Sequence, residues 1–138
     1  MCDPYLSVST PVQVAAGSLL ARGAVVRDQI ARRIAANYQL LTDEAREWPA
    51  CQVLRAEGGW YAVLRVPSLR PEEALVLDLL THDGVLAHPG YFFDFPRETF
   101  LVVSLLVPED AFAEGIDRVL VRATAPGPRS DESRGRDD

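Results

Sequence analysis

The sequence predicts an α+β fold in which a long N-terminal helix precedes a small mixed sheet with helices packed on one face. A helical repeat of apolar residues before residue 42 predicts the long helix. Alternating or β-branched stretches at 60–66 and 100–107 predict strands. Pro-Glu pairs at 71–72 and 108–109 predict the starts of two further helices. A chain of 138 residues fits one such domain and is long enough to bury a core.

Composition divides the chain into four stretches. Residues 1–11 contain two prolines and are expected to be extended, and residues 12–48 form the long helix. Residues 49–122 make up the compact α+β part. Residues 123–138 are rich in Pro, Gly, Ser and charge, so they are expected to be a disordered tail.

The long helix has one apolar face and one weak point. Gly17 and Gly23 favour a bend near residues 17–24, because glycine destabilises a helix interior. Thr10 is a candidate helix cap, with Pro11 at the first helical position. The apolar face consists of Val26, Ile30, Ile34, Tyr38 and Leu41.

Each element of the compact part has its own signal. Strands at 51–54 and 60–66 flank a glycine-containing hairpin turn at 56–59. A helix runs from Pro71 to a glycine cap at Gly84. A short strand at 85–88 then leads into Pro89-Gly90 and an aromatic loop. One face of the second strand carries Trp60, Ala62, Leu64 and Val66, and the other carries Tyr61, Val63 and Arg65. The apolar side of the helix after Pro71 consists of Leu75, Val76, Leu79 and Leu80. The last helix, which starts at Pro108, is expected to point Phe112, Ile116, Val119 and Leu120 inward.

Charge and composition exclude several functions. The net charge is −6, so the chain lacks the basic surface expected of a protein that binds nucleic acid or anionic membranes. The longest apolar run, at 100–107, is too short to span a membrane. All 14 cationic residues are arginine, so no side chain can form a Schiff base. Two cysteines and the absence of a signal-peptide pattern predict a cytoplasmic protein.

No cluster of metal ligands or catalytic groups stands out. His82 and His88 lie six residues apart, a spacing that fits no metal site, so no metal is expected. Cys51 is expected to be a small buried hydrophobe. Ser104 with His82 and Asp83 lacks the nucleophile-elbow motif of a hydrolase, and no catalytic residue is assigned.

Several ordered motifs carry a family resemblance. Four motifs follow one another in the second half of the chain: GGWYAVLRVP (58–67), GVLAHPGYFF (84–93), TFLVVSLL (99–106) and FAEGIDRVL (112–120). Upstream stand YLSVSTPVQ (5–13) and RDQIARRIAANYQLL (27–41). Together they resemble the C-terminal part, interdomain helix plus small domain, of class I/II pyridoxal-phosphate-dependent aminotransferases of fold type I. The resemblance covers about residues 3–122.

The resemblance implies amino-group transfer between an amino acid and a 2-oxo acid, with pyridoxal phosphate as the cofactor of the intact family. It also implies that the cofactor lysine and the phosphate-binding groups lie upstream of this chain. Because the chain has no lysine, it is expected to bind no cofactor alone and to be inactive alone. The expected partners are a second copy in a homodimer or a complementary large-domain chain.

The candidate substrate-pocket residues come from the same resemblance. Tyr91 matches the family's serine after the PG turn, and Phe93 belongs to the same aromatic loop. Thr10 lies in a turn that approaches the neighbour's active site in dimers of the family. The family arginine that pairs the substrate carboxylate falls on Val102, which cannot form that pair. Arg97 is the nearest cation in sequence, either as a substitute or as a solvated loop residue.

Two functions follow from these observations. The first is an aminotransferase of which this chain is a C-terminal fragment without the cofactor lysine. The alternative is a non-catalytic α+β binding or interaction module that retains the aminotransferase small-domain scaffold. The first predicts an exposed apolar surface on the long helix, whereas the second predicts a monodisperse protein that unfolds cooperatively.

Overall fold

The computed structural model describes residues 8–95 and 99–126 and has four α-helices and four strands there. The helices are α1 (Thr10–Arg22), α2 (Ala24–Arg46), α3 (Glu72–Asp83) and α4 (Glu109–Thr124). The strands are β1 (Gln52–Val53), β2 (Tyr61–Arg65), β3 (His88–Pro89) and β4 (Phe100–Ser104). A 3-10 turn at Gly90–Phe93 follows β3 and is called the aromatic turn below. The chain forms two compact units, Met1–Arg32 and Arg33–Asp138.

The first unit contains α1 and the first part of α2. The long helix is interrupted at Gly23, within the stretch where the sequence predicts a break or bend, and the Gly23 N–H donates to the Leu19 carbonyl at 2.8 Å. The Arg27 guanidinium donates to the Leu20 carbonyl at 2.6 Å, which satisfies another of the carbonyls left free at the helix end. Ser9, not Thr10, occupies the cap position of α1, and no side chain caps the helix. The capping role considered for Thr10 is therefore wrong.

Apolar side chains in the first unit remain exposed. None of the α1 residues is buried. Val26 and Ile30, on the predicted apolar face of the long helix, are 56% and 40% exposed. Further along α2, in the second unit, Ile34 and Tyr38 are partly buried and Leu41 is fully buried. The predicted face is thus covered only in its second half.

The second unit is built on a four-stranded sheet with the order β1-β2-β4-β3. All three strand pairs are antiparallel, so the expectation of a mixed sheet is wrong in this detail. The physical reason is the connection through α3, which leads from β2 to β3 with both strands pointing the same way. Because β4 inserts between these two strands, every pair of neighbours is antiparallel, as in a split βαβ unit.

The helices cover one face of this sheet, which confirms the predicted fold class. Residues on that face of β2 and β4 pair across the strands, Ala62 with Val103 and Leu64 with Leu101, and all four are buried. Cys51 is also buried in this core, as predicted. The core residues supplied by the helices are Leu41, Leu75, Leu79, Phe112, Ile116, Val119, Leu120 and Ala123.

Three sequence expectations differ from the structure at the edges of this core. Trp60 lies one residue before β2 and is exposed, and Leu80 is exposed on the outer side of α3. The strand predicted at 85–88 pairs only at His88–Pro89. Helix α4 continues to Thr124, beyond the predicted start of the tail at 123. Residues 1–7 of the extended segment and 127–138 of the tail lie outside the described residues.

A buried asparagine joins α2 to the sheet. Asn37 is fully buried, and its Nδ2 donates to the Leu105 carbonyl at 3.0 Å and the Val107 carbonyl at 2.8 Å. These carbonyls directly follow β4, where no strand neighbour is paired with them. The side-chain amide therefore gives both carbonyls a donor, in a buried bond at Leu105 and a partly buried bond at Val107.

Three arginines connect α3 to α4, one of them Arg118, whose guanidinium donates to the Asp83 carbonyl at 2.8 Å. Arg122 makes a two-pronged ion pair with Asp83, with Nε–Oδ2 at 2.7 Å and Nη2–Oδ1 at 2.8 Å. Arg70 pairs with Asp78 at 2.7 Å and donates to the Arg122 and Ala125 carbonyls at the end of α4. The hydrogen bonds from the Arg122 guanidinium to Asp83 hold the pKa of the Asp83 carboxyl below its usual range.

Replacing Asn37 tests its role as a bridge. Asn37→Ala should lower the free energy of unfolding by about 1–3 kcal/mol, because it leaves the buried Leu105 carbonyl and the partly buried Val107 carbonyl without this donor. Urea unfolding measures this value. Gln39→Ala, two residues away on an exposed position of α2, is the control and should change it by less than about 0.5 kcal/mol. An equal effect of both substitutions would contradict the bridging role.

The Asp83–Arg122 pair predicts a pH dependence. A carboxyl whose pKa is lowered by folding contributes stability above its unfolded pKa, about 4, and loses it as pH falls through the folded value. We expect unfolding free energy to fall on acidification below about pH 4, and less steeply in Asp83→Asn. Asp117→Asn, at an exposed position on α4, should keep the original slope. Identical slopes in all three proteins would rule out the linkage.

Candidate functional site

The second face of the sheet, opposite the helices, carries a short row of side chains. The strand register places Val63, Val102 and His88 side by side across β2, β4 and β3. Residues directly opposite each other on antiparallel strands project to the same face, with Cα atoms about 4.5–5.5 Å apart. Val102 is only 3% exposed, whereas His88 is exposed. The position matched to the family arginine is thus a buried apolar site beside a histidine.

The aromatic turn lies next to this row. Tyr91, Phe92 and Phe93 are 49%, 63% and 48% exposed. The Tyr91 and Phe92 rings pack edge to face with centroids 4.8 Å apart. The His88 ring lies 6.4 Å from Phe92 and 6.3 Å from Phe93. Four neighbouring rings therefore form one exposed surface, called the aromatic surface below (His88, Tyr91, Phe92, Phe93).

One carboxylate holds the aromatic turn in place. Glu72, the first residue of α3, accepts from the Tyr91 N–H at 3.1 Å through Oε2 and from the Phe100 N–H at 2.8 Å through Oε1. It thereby ties the turn to the start of β4. The turn ends at Asp94, which adopts a left-handed conformation with φ 59°, a region that Asp tolerates better than most residues.

Gly90 fits a position with no room for a side chain. A Cβ at this residue would lie 2.7 Å from the Phe100 Cβ and 3.2 Å from Glu72 Oε1. The backbone of the turn can approach β4 only because residue 90 is glycine. Glu72 and Gly90 together therefore fix where the three aromatic rings project.

The structure brings together some of the predicted pocket residues. Tyr91 and Phe93 share the aromatic turn, whereas Thr10 is exposed at the start of α1 in the first unit. Arg97 lies outside the described residues. His88 and Glu72 were not among the predicted site residues. His88 could have been found from its place just before the Pro-Gly turn, but the contacts of Glu72 depend on the fold of distant segments.

The residues present do not fit the cofactor. Pyridoxal phosphate needs an amine for its covalent attachment, and the sequence has no lysine side chain. The aromatic turn contains no basic side chain, and the ionisable side chains beside it include His88, Glu72 and Asp94. Within residues 8–95 and 99–126, no three His, Cys, Asp or Glu side chains converge on a metal position. Burial raises the pKa of the Cys51 thiol, which keeps it unreactive.

A groove of about 330 Å³ lies on the helical side of the sheet. Val85, Val103, Val107, Phe112 and Ile116 are among its lining residues. Its lining includes Ser104 but no ionisable side chain. The groove can accept an apolar group but offers no group for acid–base or nucleophilic chemistry.

Known structures show the same fold. A Pyrococcus protein called protein-A1 superposes with a TM-score of 0.69 at 18% identity, over 81% of this chain and 29% of its own. A kynurenine aminotransferase from Pyrococcus horikoshii gives a TM-score of 0.63 at 20% identity, over 81% of this chain and 28% of its own. The fold is aminotransferase-like. The α-aminoadipate aminotransferase of Thermus thermophilus gives 0.59 at 23% identity, over 82% and 28%.

These similarities bear on the fold alone, since every identity is below 25%. The chain spans less than a third of the length of these enzymes. The Thermus structure is a complex with N-(5'-phosphopyridoxyl)-L-leucine, and the kynurenine aminotransferase was solved with its substrates and products. No family model matches the chain, and no curated protein sequence matches it. Among the described helices, none is long and apolar enough to cross a membrane.

Removing the Glu72 carboxylate should release the aromatic turn. In Glu72→Ala, the Tyr91 and Phe100 amides lose their acceptor, and hydrogen bonds to an ionised group contribute about 1.5–3 kcal/mol. Hydrogen exchange followed by NMR should show faster exchange at both amides. Glu73→Ala, at the adjacent exposed position, is the control and should leave them protected. Unchanged protection of both amides in Glu72→Ala would show that the carboxylate does not hold the turn.

Adding a methyl group at Gly90 should displace the turn. Gly90→Ala forces the new Cβ against Phe100, and such overpacking costs about 1–3 kcal/mol. Thermal unfolding should show the loss. Gly115→Ala, on α4 where a Cβ meets nothing within 4 Å, should be neutral or stabilising. A Gly90→Ala protein as stable as the original would contradict the close approach.

Proposed function

We propose that this chain serves as the substrate-side portion of an aminotransferase, an enzyme that transfers an amino group between an amino acid and a 2-oxo acid. The observation that carries the proposal is the aminotransferase-like fold, found over about four fifths of this chain. The family resemblance of the ordered sequence motifs supports it independently. The cofactor of the complete enzyme would be pyridoxal phosphate, held by residues of another segment or chain.

The aromatic surface gives this chain a defined task in that enzyme. Tyr91 and Phe93 project from a turn that is hydrogen-bonded to Glu72 and approaches β4 closely at Gly90. Exposed aromatic rings in edge-to-face contact favour an apolar substrate group, because they bury large areas on binding. The chain would therefore shape the apolar wall of the pocket and exclude water from it. It would supply no catalytic amine.

The complete protein would need a partner for the first unit. Val26 and Ile30 are exposed on a helix where apolar residues usually face a partner. A complementary large-domain chain or a second copy in a homodimer would cover them. Thr10, in the same unit, would then approach the pocket of the neighbouring copy.

One observation favours the alternative, a non-catalytic binding or interaction module. The second unit has a closed core of its own, in which Leu41, Leu64, Leu79, Leu101 and Val119 are fully buried. Such a core predicts independent and cooperative unfolding without any upstream segment. A module of this kind would retain the aromatic surface for binding and perform no chemistry.

Labelling with pyridoxal phosphate tests the absence of a catalytic amine. After incubation of the chain with the cofactor and reduction with borohydride, mass spectrometry of peptides should find a pyridoxyl group at the N-terminal amine only. A lysine-containing aminotransferase treated in parallel should be labelled at its lysine. A stoichiometric label at any side chain of this protein would contradict the proposal.

Polar replacement on α2 tests for a missing partner. The double variant Val26→Gln with Ile30→Gln should reduce self-association, because it removes exposed apolar area at about 25 cal/mol per Å². Size-exclusion chromatography with light scattering measures the change. Arg32→Gln, at an exposed position nearby, is the control. A wild-type chain that is monomeric at all concentrations would favour the non-catalytic module.

A further inference from the structure

We propose that the first unit carries a self-association surface, on which the same helix of a second copy of this chain packs in the antiparallel direction. The surface is one row of side chains, called the apolar stripe below, which consists of Val12, Ala16, Leu19, Gly23, Val26 and Ile30. The proposal goes beyond the proposed function, because it selects the second copy as the partner on the properties of the stripe alone and involves no step of amino transfer.

The apolar stripe has the spacing of a seam between paired helices. Its members are separated alternately by four and three residues, which is the repeat of a coiled coil. The repeat passes from α1 into α2, since the Gly23 N–H donates to the Leu19 carbonyl and the Arg27 N–H donates to the Gly23 carbonyl at 3.0 Å, both with helical spacing. The stripe ends where Arg33 takes the next position, so all of it lies within the first unit, Met1–Arg32.

The large side chains of the stripe are uncovered. Val12, Leu19 and Val26 are 47%, 60% and 56% exposed, and Ile30 is 40% exposed. The sequence from residue 8 to residue 26 contains one charged side chain, Arg22. A continuous apolar surface of this kind is typical of an interaction site rather than of the scattered apolar residues found on any monomer.

The order of large and small side chains along the stripe favours an antiparallel pair. With residue 21 at the two-fold axis, the facing residues of the two copies are Val12 with Ile30, Ala16 with Val26, and Leu19 with Gly23. Each layer then contains at least one large side chain, and small residues face large ones, as close packing requires. In a parallel pair every residue would face its own counterpart, so the layers of Ala16 and Gly23 would leave voids.

The charges beside the stripe favour the same direction. Arg22 and Arg27 flank the stripe on opposite edges of the helix. In a parallel pair, Arg22 of each copy would lie beside Arg27 of the other, which brings like charges together twice. In the antiparallel pair, Arg27 lies beside the uncharged Gln13, and the two copies of Arg22 make the one contact between like charges. Electrostatic repulsion is therefore smaller in the antiparallel arrangement.

The size of the stripe predicts a weak dimer. A helix from residue 12 to residue 30 is about 27 Å long and about 10–12 Å wide, so pairing removes on the order of 300–500 Å² per copy from water. The total of about 600–1,000 Å² lies in the range of transient rather than obligate interfaces. We therefore expect a dissociation constant on the order of 10–100 μM.

Cysteine cross-linking tests the direction of pairing. Val12→Cys and Ile30→Cys are made separately in the 138-residue chain with Cys2→Ser, in which the remaining thiol, Cys51, is buried. Under mild oxidation at about 100 μM protein, an equimolar mixture should form covalent dimers at least about fivefold faster than either variant alone, because a disulfide requires the two Cα atoms to lie within about 7 Å. Equally fast cross-linking of Val12→Cys alone would contradict the antiparallel arrangement, and a monomer in every sample would overturn the self-association.

An exchange of large and small side chains tests the packing of the stripe. Ala16→Leu sets a large side chain against Val26 of the second copy and should raise the dissociation constant, measured by sedimentation equilibrium, at least about tenfold. Ala21→Leu is the matched control, because it makes the same change at an exposed position of α1 outside the stripe, and it should leave the dissociation constant unchanged. Helix content from circular dichroism should show that both variants are folded.

A compensating variant completes the test. Ala16→Leu combined with Val26→Ala exchanges the large and the small side chain of one layer and should restore association. Equal dissociation constants for Ala16→Leu and Ala21→Leu, or a combined variant that associates no better than Ala16→Leu, would contradict the proposed layers. None of these measurements involves the cofactor, so failure of the proposed aminotransferase role would appear in the labelling experiment instead.

Discussion

The second unit depends on β4, an inner strand of the sheet in which three successive residues are buried. Leu101, Val102 and Val103 are all buried although successive side chains of a strand point to opposite faces. Leu101 and Val103 join the helical core, while Val102 lies on the other face between Val63 and His88. A strand buried in this way cannot shift its register by one residue, because the shift would exchange the two faces. The pairing of β4 therefore determines where His88 and the aromatic turn lie.

Helix α2 has exposed apolar residues in its first part and buried ones in its second part. Leu41 and Ala45 are buried in its second half, and Asn37 donates to the chain after β4. The division between compact units consequently falls at Arg32 and Arg33, inside the helix. The sequence predicts that the long helix ends at residue 48, because Pro49 and the end of the helical pattern are local signals of where a helix stops. The apolar repeat of a helix does not show which of its turns pack on a distant sheet, because that depends on tertiary structure.

Local patterns predicted most of the elements, and distant contacts account for what they missed. The alternation in β2 placed Ala62 and Leu64 on one face, and both are buried in the structure. The helical repeat of α4 correctly identified Phe112 and Ile116 as inward. Trp60 and Leu80 are exposed because each lies at the end of its pattern, where the core stops. The aromatic turn was predicted from composition. In the sequence, Glu72 indicates only the start of a helix, because acidic residues are favourable at a helix N-terminus. The neighbouring residues do not predict that its carboxylate accepts hydrogen bonds from the backbone of residues 91 and 100.

The candidate site has well-positioned aromatic rings but lacks the lysine that transamination requires. Glu72 and Gly90 fix the aromatic turn by hydrogen bonding and by close approach, which is the arrangement expected where ring positions must be reproducible. Catalysis by the family that this chain resembles would require a lysine, and the sequence has none. A decayed catalytic fragment would have no reason to keep an exposed aromatic surface on so constrained a turn, since exposed apolar rings favour aggregation. Binding of a ligand or of a partner chain, as proposed above, would account for the exposure of these rings, whether the missing amine comes from another chain or is not needed at all.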